Sequence, residues 1–465
     1  MRASGHTAAV TARPDTQALW TLAEVAAAVG GPLPDDAAPD TPIGSIEIDS
    51  RKLRPGGLFV ALPGDLSDRF RVSSTSVRDG HDYVAAAAAA GAAAAIVSRR
   101  VDADLPQVRV DDTLDALWAL GRAGRARLTG TVFAVTGSSG KTTFKSMLAE
   151  ALGAAASEGS FNNHLGVPIS LASTPRTTRT AVFEIGTSSP GEIAPLARMV
   201  SPDVAVVLNV QSAHIENFPN RDALLAEKLS IAEGLGGDGT LVAHDELPDE
   251  LVHGPRVLRF GASERADVRL SSLENGRARY IVSGEPFEAR VPGGGWHRAL
   301  TLGAVLASLS AADLDLAPAL GLREETIPRG RGSVIEVGSI TIVDDSYNAN
   351  PASMRAALTA FRDRPAQRHL GMLGEMLELG EHSREMHLGL ASELEGLDEV
   401  WLVGEQMRTL EGQHFAQAGE ALMESVVAAL RPGDALLVKG SNRVFWAAGF
   451  VDRLTQAIAK EPRLA

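Results

Sequence analysis

Seven consecutive residues, Gly137-Ser138-Ser139-Gly140-Lys141-Thr142-Thr143, combine two glycines, a lysine and several hydroxyls in the manner of a phosphate-binding loop. Such a loop works when a strand feeds a tight turn and a helix leaves it, because backbone N–H groups and the positive helix end then face one anion. Val132 to Val135 supply the apolar strand, and Thr142 onward the helix. In that setting Lys141 can reach the β and γ phosphates of a nucleotide, and the Thr142 hydroxyl can ligate magnesium. The longer spacing G-x-x-x-x-G-K-[ST] would need glycine at position 135, where the chain has Val135. The segment is therefore either a shorter kind of phosphate loop or a glycine-rich turn that holds no ligand.

Phosphoryl chemistry also needs oxygen or imidazole donors for magnesium, and an open parallel sheet places them at the carboxyl ends of neighbouring strands. Glu184 sits inside AVFEIG, where a carboxylate is costly unless it is paired or metal-bound. The other reading is a charge facing solvent at a strand end. His214 in NVQSAHIENF follows the end of the next strand and is either a ligand or a structural histidine. Lys228, in the helical stretch LLAEKLSIAEGL, reads by itself as a surface lysine.

These side chains must be held by a large α/β scaffold. At 465 residues the chain exceeds one ordinary core, so two or three domains are expected. Residues 1–17 read as a disordered extension and residues 18–128 as a small α/β domain, with a helix in LWTLAEVAAAVGG, strands in GGLFVALPG and AAAIVSR, and a further helix in the alanine run Ala85–Ala90. Residues 129–332 alternate apolar strands (TVFAV, AVFEIG, DVAVVLNV) with helical segments, the pattern of a parallel sheet with helical crossovers. After the break EETIPRGRGS, the strands SITIVDD, RHLGMLG, EVWLVGE and DALLVKGS make residues 333–465 a third, Rossmann-like domain.

A formal net charge of −14 argues against nucleic-acid binding as the main activity, so anions must be bound locally. The absence of cysteine removes disulfides, zinc thiolates and cysteine nucleophiles. No apolar signal region opens the sequence and no run of about twenty apolar residues follows, which predicts a cytoplasmic protein without membrane insertion.

The strings VTGSSGKTT, FNNHLGVP, FEIGTSSPGEI, AHIENF, AEKLSIAEGL, GRG, DDSYNANPASMRAAL, LGEMLELGEHS and VKGSNR occur in the order and approximate spacing of the Mur ligases. From about residue 40 onward the chain resembles that family, whose loop is the short form G-x-x-G-K-[ST]-[ST]. DDSYNANP and GEMLELG are similar to the branch that adds D-Ala-D-Ala. The resemblance implies a uridine-sugar domain, a central ATPase domain and a C-terminal Rossmann-like domain. It implies ATP-driven amide formation between UDP-MurNAc-tripeptide and D-Ala-D-Ala through an acyl phosphate. A three-domain clamp needs no partner, so a monomer is the default expectation.

By the same resemblance Gly137 to Thr143 would hold ATP, joined by Asn162, Asn163, Arg331, Asp345 and Asn348. Thr142 and Glu184 would hold one magnesium ion and His214 a second, with Lys228 carbamylated so that it carries an anion toward the metals. Ser50 and Arg51, after Asp49, would contact the uridine sugar, and Asn350 the incoming substrate. Asp344 and Asp345 can alternatively be solvated turn residues. The chain departs from the family at Ser160, Arg298, Thr301 and Ala243, each in place of an asparagine near the nucleotide. Altered purine recognition is the expected consequence. Two other readings compete: a folylpolyglutamate-type ligase, which shares the loop and metal residues, and a nucleotide-binding protein that has lost ligase activity.

Overall fold

The computed structural model describes residues 18–35, 37–66, 78–211, 215–248 and 254–464; the expected disordered start, residues 1–17, and His214 lie outside them. The chain forms two compact units, Met1–Arg127 with Leu171–Thr177, and Leu128–Ser170 with Thr178–Ala465.

In the first unit, helix α1 (Leu22–Val29) starts at a capping box between Thr21 and Glu24 and stops at Gly30, whose φ of 68° suits glycine. Strands β1 (Ser45–Glu47), β2 (Gly57–Val60), β3 (Ala94–Val97) and β4 (Gln107–Arg109) pair in parallel in that order. The alanine run forms α2 (Val84–Ala89), which buries Val84 and Ala87 beside Phe59 and Val97. Helix α3 (Thr113–Ala126) is capped by Asp112, which accepts from the Leu114 and Asp115 N–H groups.

The second unit contains, among the described residues, a nine-stranded and a six-stranded sheet. The larger is built from β5 (Thr131–Thr136), β6 (Ala155–Ala156), β7 (Thr180–Glu184), β8 (Val204–Val207), β9 (Thr240–His244), β10 (Arg256–Gly261), β11 (Val268–Glu274), β12 (Arg277–Val282) and β13 (Glu285–Arg290). Their order across the sheet is β13-β12-β11-β10-β9-β8-β5-β7-β6. From β6 to β11 all pairings are parallel, as the alternation of strands and helices predicts. Helices α4 (Lys141–Leu152) and α7 (Trp296–Ala311) bury Phe144, Leu148, Leu302 and Leu306 with Phe133, Val135 and Val206 of the sheet. Helices α5 (Ile193–Val200) and α6 (Arg221–Leu229) lie between β7 and β9 in the sequence.

The sheet differs from a purely parallel one at β11, β12 and β13, which form an antiparallel meander. Its turns fall at Asn275-Gly276 and Ser283-Gly284, all four with positive φ, the backbone that tight hairpins require.

The smaller sheet uses β14 (Ser333–Val337), β15 (Ile340–Asp345), β16 (Arg368–Gly374), β17 (Glu399–Val403), β18 (Gln413–Phe415) and β19 (Asp434–Lys439), in the order β14-β15-β19-β16-β17-β18. Only the β14–β15 pairing is antiparallel. Helix α8 (Pro351–Arg362) and helices α9 (Glu420–Ala429) and α10 (Phe450–Ile458) pack their apolar faces on it. No described helix is long and apolar enough to cross a membrane.

Candidate active site

Strand β5 lies between β8 and β7, so the turn at its end opens in the middle of the larger sheet's carboxyl edge. Gly137 and Gly140 have φ values of 156° and 83°, and α4 begins directly at Lys141. A side chain at Gly137 would press within 3.0 Å of Leu208, so the turn needs glycine there for space as well as conformation. The Ser138 and Ser139 N–H groups donate to Asn209 Oδ1 at 3.1 and 3.0 Å, and Ser138 Oγ donates to the Gln211 carbonyl at 2.9 Å. Lys141 folds over the turn and donates from Nζ to the Gly137 carbonyl at 2.8 Å. Burial holds its ammonium pKa below the usual lysine range; Glu184 opposes the fall and Arg331 adds to it.

Glu184 pairs in register with Val135, which sets its carboxylate beside the loop. It is 1% exposed, so the solvent-facing reading does not hold. Thr142 Oγ1 donates to one carboxylate oxygen at 2.9 Å and Asn162 Nδ2 to the other at 2.7 Å, while Lys145 Nζ stands 3.9 Å away. Lys145 also donates to the Ser157 carbonyl at 2.7 Å and to that of Gly159, which fixes the segment leading to Ser160 and Asn162. Asn163 turns elsewhere: its Oδ1 caps the Leu165 and Gly166 N–H groups.

Lys228 is not on the surface. It is 2% exposed, and burial brings its pKa down to about 7, with Lys141 contributing to the fall and Glu227 opposing it. The adjacent Glu227 is turned toward the start of α5, where it accepts from the Gly191, Glu192 and Ile193 N–H groups at 2.7, 3.0 and 2.8 Å. Among the described residues no carboxylate lies within ion-pair distance of Lys228.

The smaller sheet supplies the facing wall. Asp345 pairs in register with Lys439, and the two side chains form an ion pair at 2.6 Å in which the lysine is almost fully buried. Lys439 also donates to the Asn348 carbonyl at 3.1 Å. Asp344 is buried as well, against the solvated-turn reading; burial raises its carboxyl pKa, and bonds from Ser346 and the Gly330 N–H resist that rise. Asn350 caps α8 by accepting from the Ser353 N–H at 2.8 Å. A cavity of about 970 Å³ joins these walls, lined by Ser138 to Gly140, Thr142 and Thr143 on one side and by Arg331, Asp345, Asn348, Asn350 and Lys439 on the other.

The family-divergent positions have well-defined places. Thr301 donates its hydroxyl to the His297 carbonyl at 3.0 Å, Ala243 is buried within β9, and the Arg298 terminal nitrogens are committed to backbone carbonyls. His297, at the start of α7, is held neutral by burial, its pKa pushed down to about 3 with help from the Arg298 and Lys439 charges. In the first unit, Arg51 is exposed and forms a two-pronged pair with Asp49 at 2.9 and 2.7 Å, next to Ser50. Sequence reasoning missed Lys145, Asn209, Gln211, His297 and Lys439. Asn209 and Gln211 carried a signal, since both are amides at the end of an apolar strand neighbouring the loop strand.

The Mur ligase middle domain matches residues 135–308, and the glutamate ligase domain of Mur ligases matches residues 330–442. The UDP-N-acetylmuramoyl-tripeptide–D-alanyl-D-alanine ligase of Mycobacterium tuberculosis is 31% identical over 502 aligned residues, covering 91% of this chain and 95% of that one. Crystal structure I of MurF from Acinetobacter baumannii superposes with a TM-score of 0.80 at 29% identity, over 94% of this chain and 99% of that chain. The Thermotoga maritima MurF ligase, solved in complex with ADP, gives 0.76 at 29% identity, over 90% and 98%. The chain belongs to the Mur ligase family.

Proposed function

We propose that the protein joins D-Ala-D-Ala to UDP-MurNAc-tripeptide at the expense of ATP. The observation that carries this reading is a cavity in which a phosphate loop faces the Asp345–Lys439 ion pair of the smaller sheet. In the reaction, the tripeptide carboxylate attacks the γ-phosphorus of ATP, forming an acyl phosphate and releasing ADP. The dipeptide amine then attacks the acyl carbon; a C–N bond forms, the C–O bond to phosphate breaks, and the amine loses its proton. A carboxylate is a poor electrophile until one oxygen becomes a leaving group, so the protein's work is positioning and charge neutralisation.

Lys141 neutralises charge on the β and γ phosphates in this reading, and Arg331 approaches the same group from the linker. The Thr142 hydroxyl and Glu184 carboxylate are two hard oxygen donors 2.9 Å apart, which fits magnesium, an ion that draws most of its remaining ligands from water and phosphate. Bound there, magnesium would neutralise phosphate charge. Lys228 has the partly neutral amine that carbamylation needs: its nitrogen adds to carbon dioxide, a C–N bond forms and a proton leaves. Ser50 and Arg51 are assigned to the sugar nucleotide. Residues 129–332 and 333–465 act as separate functional domains, and the protein works as a cytoplasmic monomer.

The folylpolyglutamate-type alternative ranks lower because the relatives that add D-Ala-D-Ala align over about nine-tenths of the chain. Phosphate release from ATP should require both UDP-MurNAc-tripeptide and D-Ala-D-Ala. Folded protein that releases none with both present would refute the ligase reading.

Purine selectivity should be weak. A site that hydrogen-bonds a distinguishing group rejects analogues by roughly 10⁴-fold or more, but the Thr301 hydroxyl and the Arg298 terminal nitrogens already donate to backbone carbonyls and the Ala243 side chain has no donor. Initial rates with ATP and GTP are expected to give kcat/KM values within about 30-fold of each other, whereas a preference above about 1,000-fold would contradict this.

A further inference from the structure

Arg298 lies in the first turn of α7 and is 7% exposed, a guanidinium buried in the larger sheet's half of the unit. Among the described residues no carboxylate pairs with it. Its Nη1 donates to the Gly293 carbonyl at 2.6 Å, and its Nη2 donates to the carbonyls of Arg331 and Gly332 at 3.1 and 3.2 Å. A buried cation whose terminal nitrogens bond to carbonyl oxygens, with the Asp345 and Glu324 carboxylates acting on it only from longer range, is an expensive way to fill space, since an apolar side chain would pack there without desolvating a charge. What the charge provides is a grip on the backbone of the segment joining the two sheets.

That segment is held from the other side too. The Gly330 N–H donates to Asp344 Oδ2 at 3.0 Å, the Gly332 N–H donates to the Asp344 carbonyl at 2.6 Å, and the Tyr347 N–H donates to the Gly330 carbonyl at 2.9 Å. Gly330 and Gly332 have φ values of 72° and 83°. The positive φ of Gly332 favours glycine, and a Cβ there would lie 1.8 Å from Arg298 Nη2, so a side chain would also displace the arginine. With its backbone clamped on both faces, the linker sends out the Arg331 side chain, whose guanidinium lies 3.8 Å from the centre of the Tyr347 ring. Arg331 Nη2 donates to Ser160 Oγ at 2.9 Å, and Ser160 Oγ is 3.4 Å from Thr142 Oγ1 at the phosphate loop.

We infer that Arg298 is a positioning residue for Arg331: it fixes the linker backbone so that the Arg331 guanidinium is presented to the phosphate loop. The inference rests on the ligase reading for what Arg331 then does. A lysine at 298 cannot reproduce the grip, because one ammonium on a flexible stem lacks the planar fork that spans Gly293 and the linker.

The test is a double-mutant cycle. Arg298→Ala and Arg298→Lys should each lower kcat/KM for ATP at least about tenfold, with KM for D-Ala-D-Ala changed less than about threefold. In an Arg331→Ala background the same substitutions should cost less than about threefold, because the group they position is gone. Equal losses in both backgrounds, or no loss in the Arg298 single variants, would overturn the inference. If Arg298→Ala does not fold, the cycle is run with Arg298→Lys. Should wild-type protein show no dipeptide-dependent phosphate release, the ligase reading fails by itself. The cycle is then read by calorimetric titration of the same variants with magnesium and ATP, where non-additivity supports the positioning role and additivity removes it.

Discussion

Lys228→Met should abolish phosphate release and yet make the protein more stable at neutral pH. The sign follows from protonation: the lysine's pKa falls from 10.5 to about 7 on folding, so between those values the unfolded chain holds a proton that the folded protein does not. Stability therefore rises with pH across that window, by up to about 1.4 kcal/mol per pH unit from this group. Below about pH 7 the full cost of burying the amine is present, and methionine removes it. Denaturant unfolding in bicarbonate-free buffer at pH 6.5, 8 and 10 should show the variant ahead by several kcal/mol at the lowest pH and the gap closing upward. A gap independent of pH would contradict the assignment. For activity, Lys228→Ala should be inert and partly restored by short carboxylates, which replace the anion a carbamate would supply; wild-type turnover in that variant would exclude the carbamate role.

Lys141→Ala should cost about 10²- to 10³-fold in kcat, the range for removing one preorganised charge donor from a reacting oxygen. Its ammonium donates within the protein to the Gly137 carbonyl, a contact confined to the loop, so the fold should survive the change. Unfolding midpoints within a few degrees of wild type, together with the kinetic loss, separate this from collapse of the loop. A loss under about tenfold would mean that the phosphates are neutralised mainly by other groups.

What could be read from the sequence was whatever is spelled locally. The phosphate loop is contiguous, and Glu184 stands out because a carboxylate within an apolar strand needs a reason. The strands of the smaller sheet are short apolar runs with clear breaks. The meander at β11 to β13 is spelled as locally, in the alternation of RARYIV and EPFEAR around Asn-Gly and Ser-Gly, although the strands before it follow the parallel pattern. Lys228 was not legible as a buried group, because its burial depends on how α6 packs rather than on its neighbours in the chain. The same holds for Lys439, whose partner Asp345 lies 94 residues earlier, and for Arg298, which meets the linker 33 and 34 residues on. The Arg298 terminal nitrogens and the Thr301 hydroxyl donate to backbone carbonyls, something residue type cannot reveal.

The meander also bears on association. A long sheet exposes two outer strands, and an unpaired outer strand invites another chain to add to it. Here one margin is β13, which carries Pro286 with Glu285, Glu288 and Arg290, and the other is β6, only two residues long. Proline removes a donor, the charges resist stacking, and two residues are too few to template a partner. The nine-stranded sheet is closed to growth at both ends, by composition at one and by brevity at the other, so its margins should not seed strand exchange between copies.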